Sequence, residues 1–209
     1  IIFEQTLNRR DVAVRWFDAR ESIIATAGAN WQWLGVPSFT PLDAGLQIEF
    51  PGEPLTSTQD FKLYVLDAVR FRQTVEAWTC AACPVTFDHA VTLIGLQTNI
   101  VDGMLIVQSA WRVERAVQPV STAVFMHLIG AAGQIAAQDD RLGVPPHTWQ
   151  TGDEFVQVHR IALGQASAGD YALKVGLYNR GDNARWAATD QSGANLGDAV
   201  TVATIEVSP

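Results

Sequence analysis

The sequence predicts a mainly β protein: an antiparallel β-sandwich over about residues 85–209, preceded by a small α/β segment over residues 1–84. Three observations carry this. After Pro84, seven short apolar segments (AVTLIGLQT, MLIVQSAWRV, TAVFMHLI, QIAAQ, EFVQVHRIAL, YALKVGLYN and VTVATIEV) are separated by polar, glycine-rich connections, which is the pattern of a sandwich. No stretch in that half has the length and 3.6-residue period of a sound helix. Before Pro84 the texture is mixed, with helical and extended patterns side by side.

In the front segment, LNRRDVAVRWFDAR places Val12, Trp16 and Ala19 on one helical face behind Asn8, a capping residue. SIIATAG and GLQIEF read as short strands, and GANWQWLGVPSFTPLD between them as an aromatic, turn-rich connection. DFKLYVLD is a further strand. In AVRFRQTVEAW, Val69, Phe71, Val75 and Ala77 oppose Arg70, Arg72, Thr74 and Glu76, and this alternation predicts another strand.

Beyond Pro84, Tyr171, Leu173, Val175 and Leu177 share one face of YALKVGLYN and are the expected core, with Ala172, Lys174, Gly176 and Tyr178 opposite. No charged side chain occurs from Ala116 through Gln138, a run long enough for a membrane-spanning helix. Its interior opposes that reading, since Pro119, Ser121, Thr122, His127 and Gln134 would carry polar groups into hydrocarbon. TAVFMHLI and QIAAQ, joined by GAAG with its two glycines, predict a hairpin instead.

Hydrophobic residues make up 48% and charged residues 17% of the 209, which excludes a disordered chain. A net charge of −8 with scattered basic residues argues against nucleic acid or an anionic membrane surface as the main partner. Without a start methionine or signal peptide, the chain reads as a piece of something longer. Cys80 and Cys83 in WTCAACP are open to three readings: a redox pair, half a zinc site, or a local disulfide. His89, His127, His147 and His159 show no paired metal spacing, and Pro84 with an extended VTF follows where a redox motif opens a helix. A local disulfide, or inert thiols, is the leading reading.

The second half resembles the C-terminal extracytoplasmic β-sandwich domain of polytopic bacterial glycosyltransferases of the protein-mannosyltransferase type. The likeness runs through residues 85 to 209 and is carried by Trp111, Phe125, His127, Leu128, Gln138, Asp139, Trp149, Gly152, Tyr171, Gly176 and Tyr178. The front stretch RRDVAVRWFDARESIIATAGANWQWLGVPSFTPLD is more loosely similar to the soluble linker that precedes that sandwich. Two departures are the shortened RLGVPPH before Trp149 and SAG where the family has a proline-rich turn. The resemblance implies a membrane-embedded portion upstream of Ile1, a location outside the cytoplasm, and an accessory domain, with the chemistry in the spanning part.

Trp149 and Trp186, both in loops, together with Tyr178, are the expected sugar-stacking residues; Trp111, on a strand, is expected in the core. Trp31 and Trp33 share one face if extended and would dock against the sandwich rather than hold a ligand. Asp139 and Asp140 are weak candidates for a calcium ion, with solvation of a hairpin end the simpler reading. Asp182, Asn183, Asp190, Asn195 and Asp198 around Trp186 suit a calcium loop, a sugar site or an ordinary long turn. No G-x-S-x-G, phosphate-cradling glycine loop or H-E-x-x-H is present, and His127 reads as a core histidine bonded to a neighbour. The expected function is a noncatalytic accessory domain, attached to a membrane or cell surface, that positions or recognises glycan or envelope partners. Its alternatives are an autonomous carbohydrate-binding module and, third, a thiol–disulfide enzyme using Cys80 and Cys83.

Overall fold

A computed structural model describes residues 17–116, 121–164 and 166–208. The protein is mainly β and is built of antiparallel sheets packed on one another. Its strands are β1 (Ser22–Ala25), β2 (Trp31–Pro37), β3 (Thr56–Ser57), β4 (Phe61–Asp67), β5 (Val85–Phe87), β6 (Val91–Val101) and β7 (Met104–Val113). They continue with β8 (Thr122–Ile129), β9 (Ile135–Arg141), β10 (Glu154–Ala162), β11 (Gly169–Asn179), β12 (Ala188–Thr189), β13 (Asn195–Gly197) and β14 (Val200–Val207). Among the described residues, two helices, α1 (Ala44–Glu49) and α2 (Ala68–Glu76), lie in the front segment.

A seven-stranded sheet, ordered β1-β10-β7-β6-β5-β12-β13, faces a four-stranded sheet ordered β14-β11-β8-β9. Leu93, Leu105, Val107 and Trp111 from the first meet Val124, Met126, Leu128, Leu173, Val175 and Leu177 from the second. All seven strands read from the apolar segments after Pro84 are present, and the expected core face of β11 is the buried one. The uncharged run folds as the β8–β9 hairpin, and among the described residues no helix is long and apolar enough to cross a membrane.

A third sheet, β2-β4-β3, forms a cap with α1 and α2 on the far side of the seven-stranded sheet. Here Leu34, Val36, Tyr64, Leu66, Phe71 and Val75 pack on Ile23, Ala25, Ala110, Val156 and Val158, so the middle of the large sheet is buried on both faces. The division at residue 84 is therefore bridged: β1, from the front segment, is the edge strand of the sandwich sheet through its pairing with β10.

Three local expectations are corrected. AVRFRQTVEAW is α2 rather than a strand: Asp67 Oδ1 accepts a hydrogen bond from Arg70 N at 2.9 Å, capping the helix, and Ala68, Phe71 and Val75 are buried at helical spacing. GLQIEF is α1 and its exit: Asp43 Oδ1 accepts from Leu46 N at 3.1 Å, and Leu46 and Phe50 are buried while Ile48 points to water. The connection holding NWQWLGVP is strand β2. Of the helix expected over LNRRDVAVRWFDAR, Asn8, Val12 and Trp16 lie outside the described residues, and Ala19 sits in a turn.

Two glycines are required by close approach. A Cβ on Gly95, at a bulge in β6, would stand 2.4 Å from the Trp78 carbonyl oxygen. One on Gly176 would stand 2.3 Å from the Phe125 ring and 2.5 Å from the Asp198 carbonyl.

Candidate functional site

The expected stacking residues occupy the interior. Trp149 is 3% exposed and donates through Nε1 to the Val144 carbonyl at 3.0 Å; Trp186 is 5% exposed and donates to Asn179 Oδ1 at 3.0 Å. The rings meet edge to face with centroids 6.4 Å apart and close one end of the core. The short 3₁₀ turn Pro146–Thr148 leads into Trp149, whose indole packs against Phe155 and Trp186 and gains more from burial than from water. Tyr178, half-buried, lies beside Phe125 at 6.4 Å and is not part of that cluster. Trp149, Tyr178 and Trp186 therefore form no shared platform.

Asp139 and Asp140 do not converge on a cation. As neighbours on β9 they project to opposite faces, and each is already engaged. Asp139 Oδ1 accepts from Arg141 Nη2 at 2.7 Å, and its Oδ2 accepts from the Arg160 amide at 2.9 Å with His159 Nδ1 3.5 Å away. Burial alone would raise the Asp139 carboxyl, but these donors outweigh it and hold it at about 2. Asp140 Oδ1 lies 3.3 Å from His127 Nε2. Burial pushes the His127 pKa down, against the opposing pull of Asp140; the ring is buried and bonded to a neighbour as expected, but on the face of β8 turned away from the core that Val124, Met126 and Leu128 join.

The late loop uses its acidic and amide groups locally. Asp190 Oδ1 accepts from Ser192 N, Ser192 Oγ and Ala194 N, Asn195 Oδ1 from Gly197 N, and Asp182 Oδ1 from Ala184 N. Among the described residues no cluster of three metal-ligating side chains exists.

Cys80 and Cys83 are joined in a disulfide that closes the turn between α2 and β5. Ala81, inside that turn, donates its amide to the Val202 carbonyl at 3.0 Å, fastening the turn to β14. The disulfide forms one wall of a cavity of about 350 Å³ with Glu76, Trp78 and Arg112. Nearby on β10, Glu154 is buried with Oε2 unbonded, and burial raises its pKa despite the attraction of Arg72 and Arg112. A buried carboxylate with a raised pKa is most costly when ionised. Glu154→Gln is therefore expected to stabilise the fold at pH 8 by about 1 kcal/mol and to have a smaller effect at pH 4, as read by urea unfolding at both pH values.

Among the described residues, the tryptophans left in solvent are Trp31 and Trp33, which are 59% and 54% exposed, with ring centroids 6.3 Å apart. They were expected to dock against the sandwich, and they do the reverse. In β2 the inward positions are Leu34 and Val36, while Trp31, Trp33, Gly35 and Pro37 point away from the core. The strand is held in this register by Gln32, whose Nε2 donates to the Ile24 carbonyl at 2.6 Å and whose Oε1 accepts from Thr26 N at 2.8 Å. Antiparallel pairing with β4 sets Trp31 opposite Asp67, Trp33 opposite Val65, Gly35 opposite Leu63 and Pro37 opposite Phe61. Thr56 of β3 pairs with Leu63 and extends the same face. Strict alternation in WQWLGVP carried this signal, with Leu34 and Val36 marking the buried side. It was masked because the outward residues are the larger and more hydrophobic ones.

The arrangement offers a solvent-facing aromatic surface on the outer face of the β2-β4-β3 sheet, whose inner face packs on the large sheet. No known protein-family model matches the chain, and no curated protein matches it.

Proposed function

We propose that the chain is a noncatalytic, extracytoplasmic accessory domain of a larger membrane glycosyltransferase-like protein, where it positions or recognises glycan or envelope partners. The observation that carries the reading is the outward aromatic face of β2 and β4, with Trp31 and Trp33 side by side in water. Paired exposed indoles are costly unless something covers them, and grouped apolar surface of this kind marks interaction sites. The resemblance of residues 85–209 to the sandwich of membrane transferases supplies the setting. The disulfide between Cys80 and Cys83 agrees with an oxidising compartment outside the cytoplasm.

The reading has two tests. Purified chain offered lipid-linked sugars, sugar nucleotides and glycosides is expected to turn over none of them, and measurable turnover would overturn the noncatalytic role. Alkylation of intact cells with a permeant maleimide, followed by mass spectrometry, is expected to leave Cys80 and Cys83 unmodified until a reductant is added. Labelling of both without reductant would rule out the extracytoplasmic placement.

A further inference from the structure

We propose that the outward face of the β2–β4–β3 sheet binds a neutral glycan, with Trp31 and Trp33 stacking on sugar rings and Asp67 and Thr56 bonding hydroxyls at the rim. This rests on the recognition role proposed above and names its ligand class.

Trp31 and Trp33 are the exception among the described tryptophans, since Trp78, Trp111, Trp149 and Trp186 are all buried. A scattered exposed hydrophobe needs no explanation, but two neighbouring indoles on one strand, with exposed Val65 opposite Trp33, do. An indole face is electron-rich. A pyranose ring offers it C–H bonds made electropositive by adjacent oxygens, while its hydroxyls point outward around the ring. Such a ligand needs a flat aromatic surface with polar groups at the edge. The sheet supplies both: Asp67 sits directly opposite Trp31, and the Thr56 hydroxyl lies in the row that passes through Leu63 and Gly35. Gly35 adds no side chain beside Trp33, which leaves the shelf open in that direction.

Charge selects among occupants. Asp67 is the one charged side chain among the paired residues of this face, and the whole chain carries −8. An anionic bilayer or a polyanionic polymer would meet repulsion there, whereas amphipathic membrane-binding surfaces carry basic residues beside their aromatics. A second copy adding a strand is opposed as well: β2 is the edge of its sheet, and Pro37 within it has no N–H to donate.

The test is isothermal titration calorimetry of the purified chain with short neutral oligosaccharides of glucose, mannose, galactose and N-acetylglucosamine, repeated with Trp31→Ala, Trp33→Ala and Phe39→Ala. At least one sugar series is expected to bind. Each tryptophan variant should weaken that binding by about tenfold or more, as for a truncated aromatic anchor. Phe39→Ala, exposed but outside the paired face, should leave it unchanged, and circular dichroism should show all three variants folded. Absence of binding to every series overturns the proposal, and so does binding that survives both tryptophan changes. Two further measurements can overturn it: flotation with phosphatidylcholine–phosphatidylglycerol vesicles that depends on Trp31 and Trp33, or a dimer in sedimentation that those variants dissociate. Sugar binding accompanied by turnover would leave the site standing and remove the accessory reading. No sugar binding together with no turnover would do the opposite.

Discussion

Replacing Asp139 by alanine is expected to destabilise the protein by about 3–5 kcal/mol, the cost of removing one member of a buried charged network. The carboxylate gathers donors from β9 and β10: Arg141 from its own strand, the Arg160 amide from the facing one, and His159, whose Nδ1 also lies 3.1 Å from the Asp139 carbonyl. Arg141 reaches on to Glu21 Oε1 at 3.1 Å, just before β1, and Arg160 pairs with Asp43, the cap of α1. One aspartate thus joins the free edge of the four-stranded sheet to the large sheet, and Arg160 carries the link into the front cap. Without it, Arg141 and the Arg160 amide lose their shared acceptor.

The pH dependence has a definite sign. The Asp139 carboxyl is held at about 2 against an ordinary 3.8, so the folded state favours the ionised form. Its contribution, about 2 kcal/mol, is fully present above pH 4 and is lost as the pH falls through 2. Urea unfolding of wild type and Asp139→Asn across pH 2–7 checks this: the gap between the two should narrow between about pH 4 and 2. A gap independent of pH would show that the charge of Asp139 plays no part.

Trp111→Ala is expected to cost about 3–5 kcal/mol, and it tests the sandwich core directly. The ring is fully buried, lies nearly parallel to Phe155 at 6.3 Å and tilted against Phe87 at 5.9 Å, and donates Nε1–H to Ser109 Oγ at 2.8 Å. Its removal opens a cavity between the two sheets and leaves the buried Ser109 without that donor. Trp33→Ala is the matched control, because the same side chain is deleted from a solvent-facing position. A change within about 0.5 kcal/mol is expected there. Equal losses for the two variants, read from urea midpoints at constant slope, would contradict the assignment of inner and outer faces.

Much of the sandwich was legible because its strands obey a local rule. In β11, Tyr171, Leu173, Val175 and Leu177 alternate with smaller or polar residues, and the alternation alone names the buried face. The β8–β9 hairpin was legible for a similar reason, since glycines interrupt an uncharged run at the place where the chain reverses. The helix α2 was misread because a short segment can satisfy both periods: Phe71 and Val75 are four apart, which suits one face of a strand and one face of a helix equally. Asp67 decides between them by capping, a contact made only once β4 delivers it to the helix start.

The candidate site was harder to read for a different reason. From sequence, tryptophans in loops read as the exposed ones and tryptophans in an aromatic stretch as docking residues, yet hydrophobicity does not reveal which surfaces remain after the layers have stacked. Trp149 and Trp186 lie over an open end of the core and are drawn in. Trp31 and Trp33 sit on the layer that has no further layer above it among the described residues.

By itself, the sequence determined the seven main strands after Pro84 and the buried face of β11, and it narrowed Cys80 and Cys83 to a local disulfide or inert thiols as the leading reading, all consequences of neighbours a few residues apart. Only the tertiary structure decided that the front segment lends a strand to the large sheet and that Trp31 and Trp33 meet water. The first depends on packing between segments more than a hundred residues apart, such as Ile23 with Val156; the second depends on which layer is left uncovered, since the alternation in WQWLGVP separates two faces without saying which one meets water.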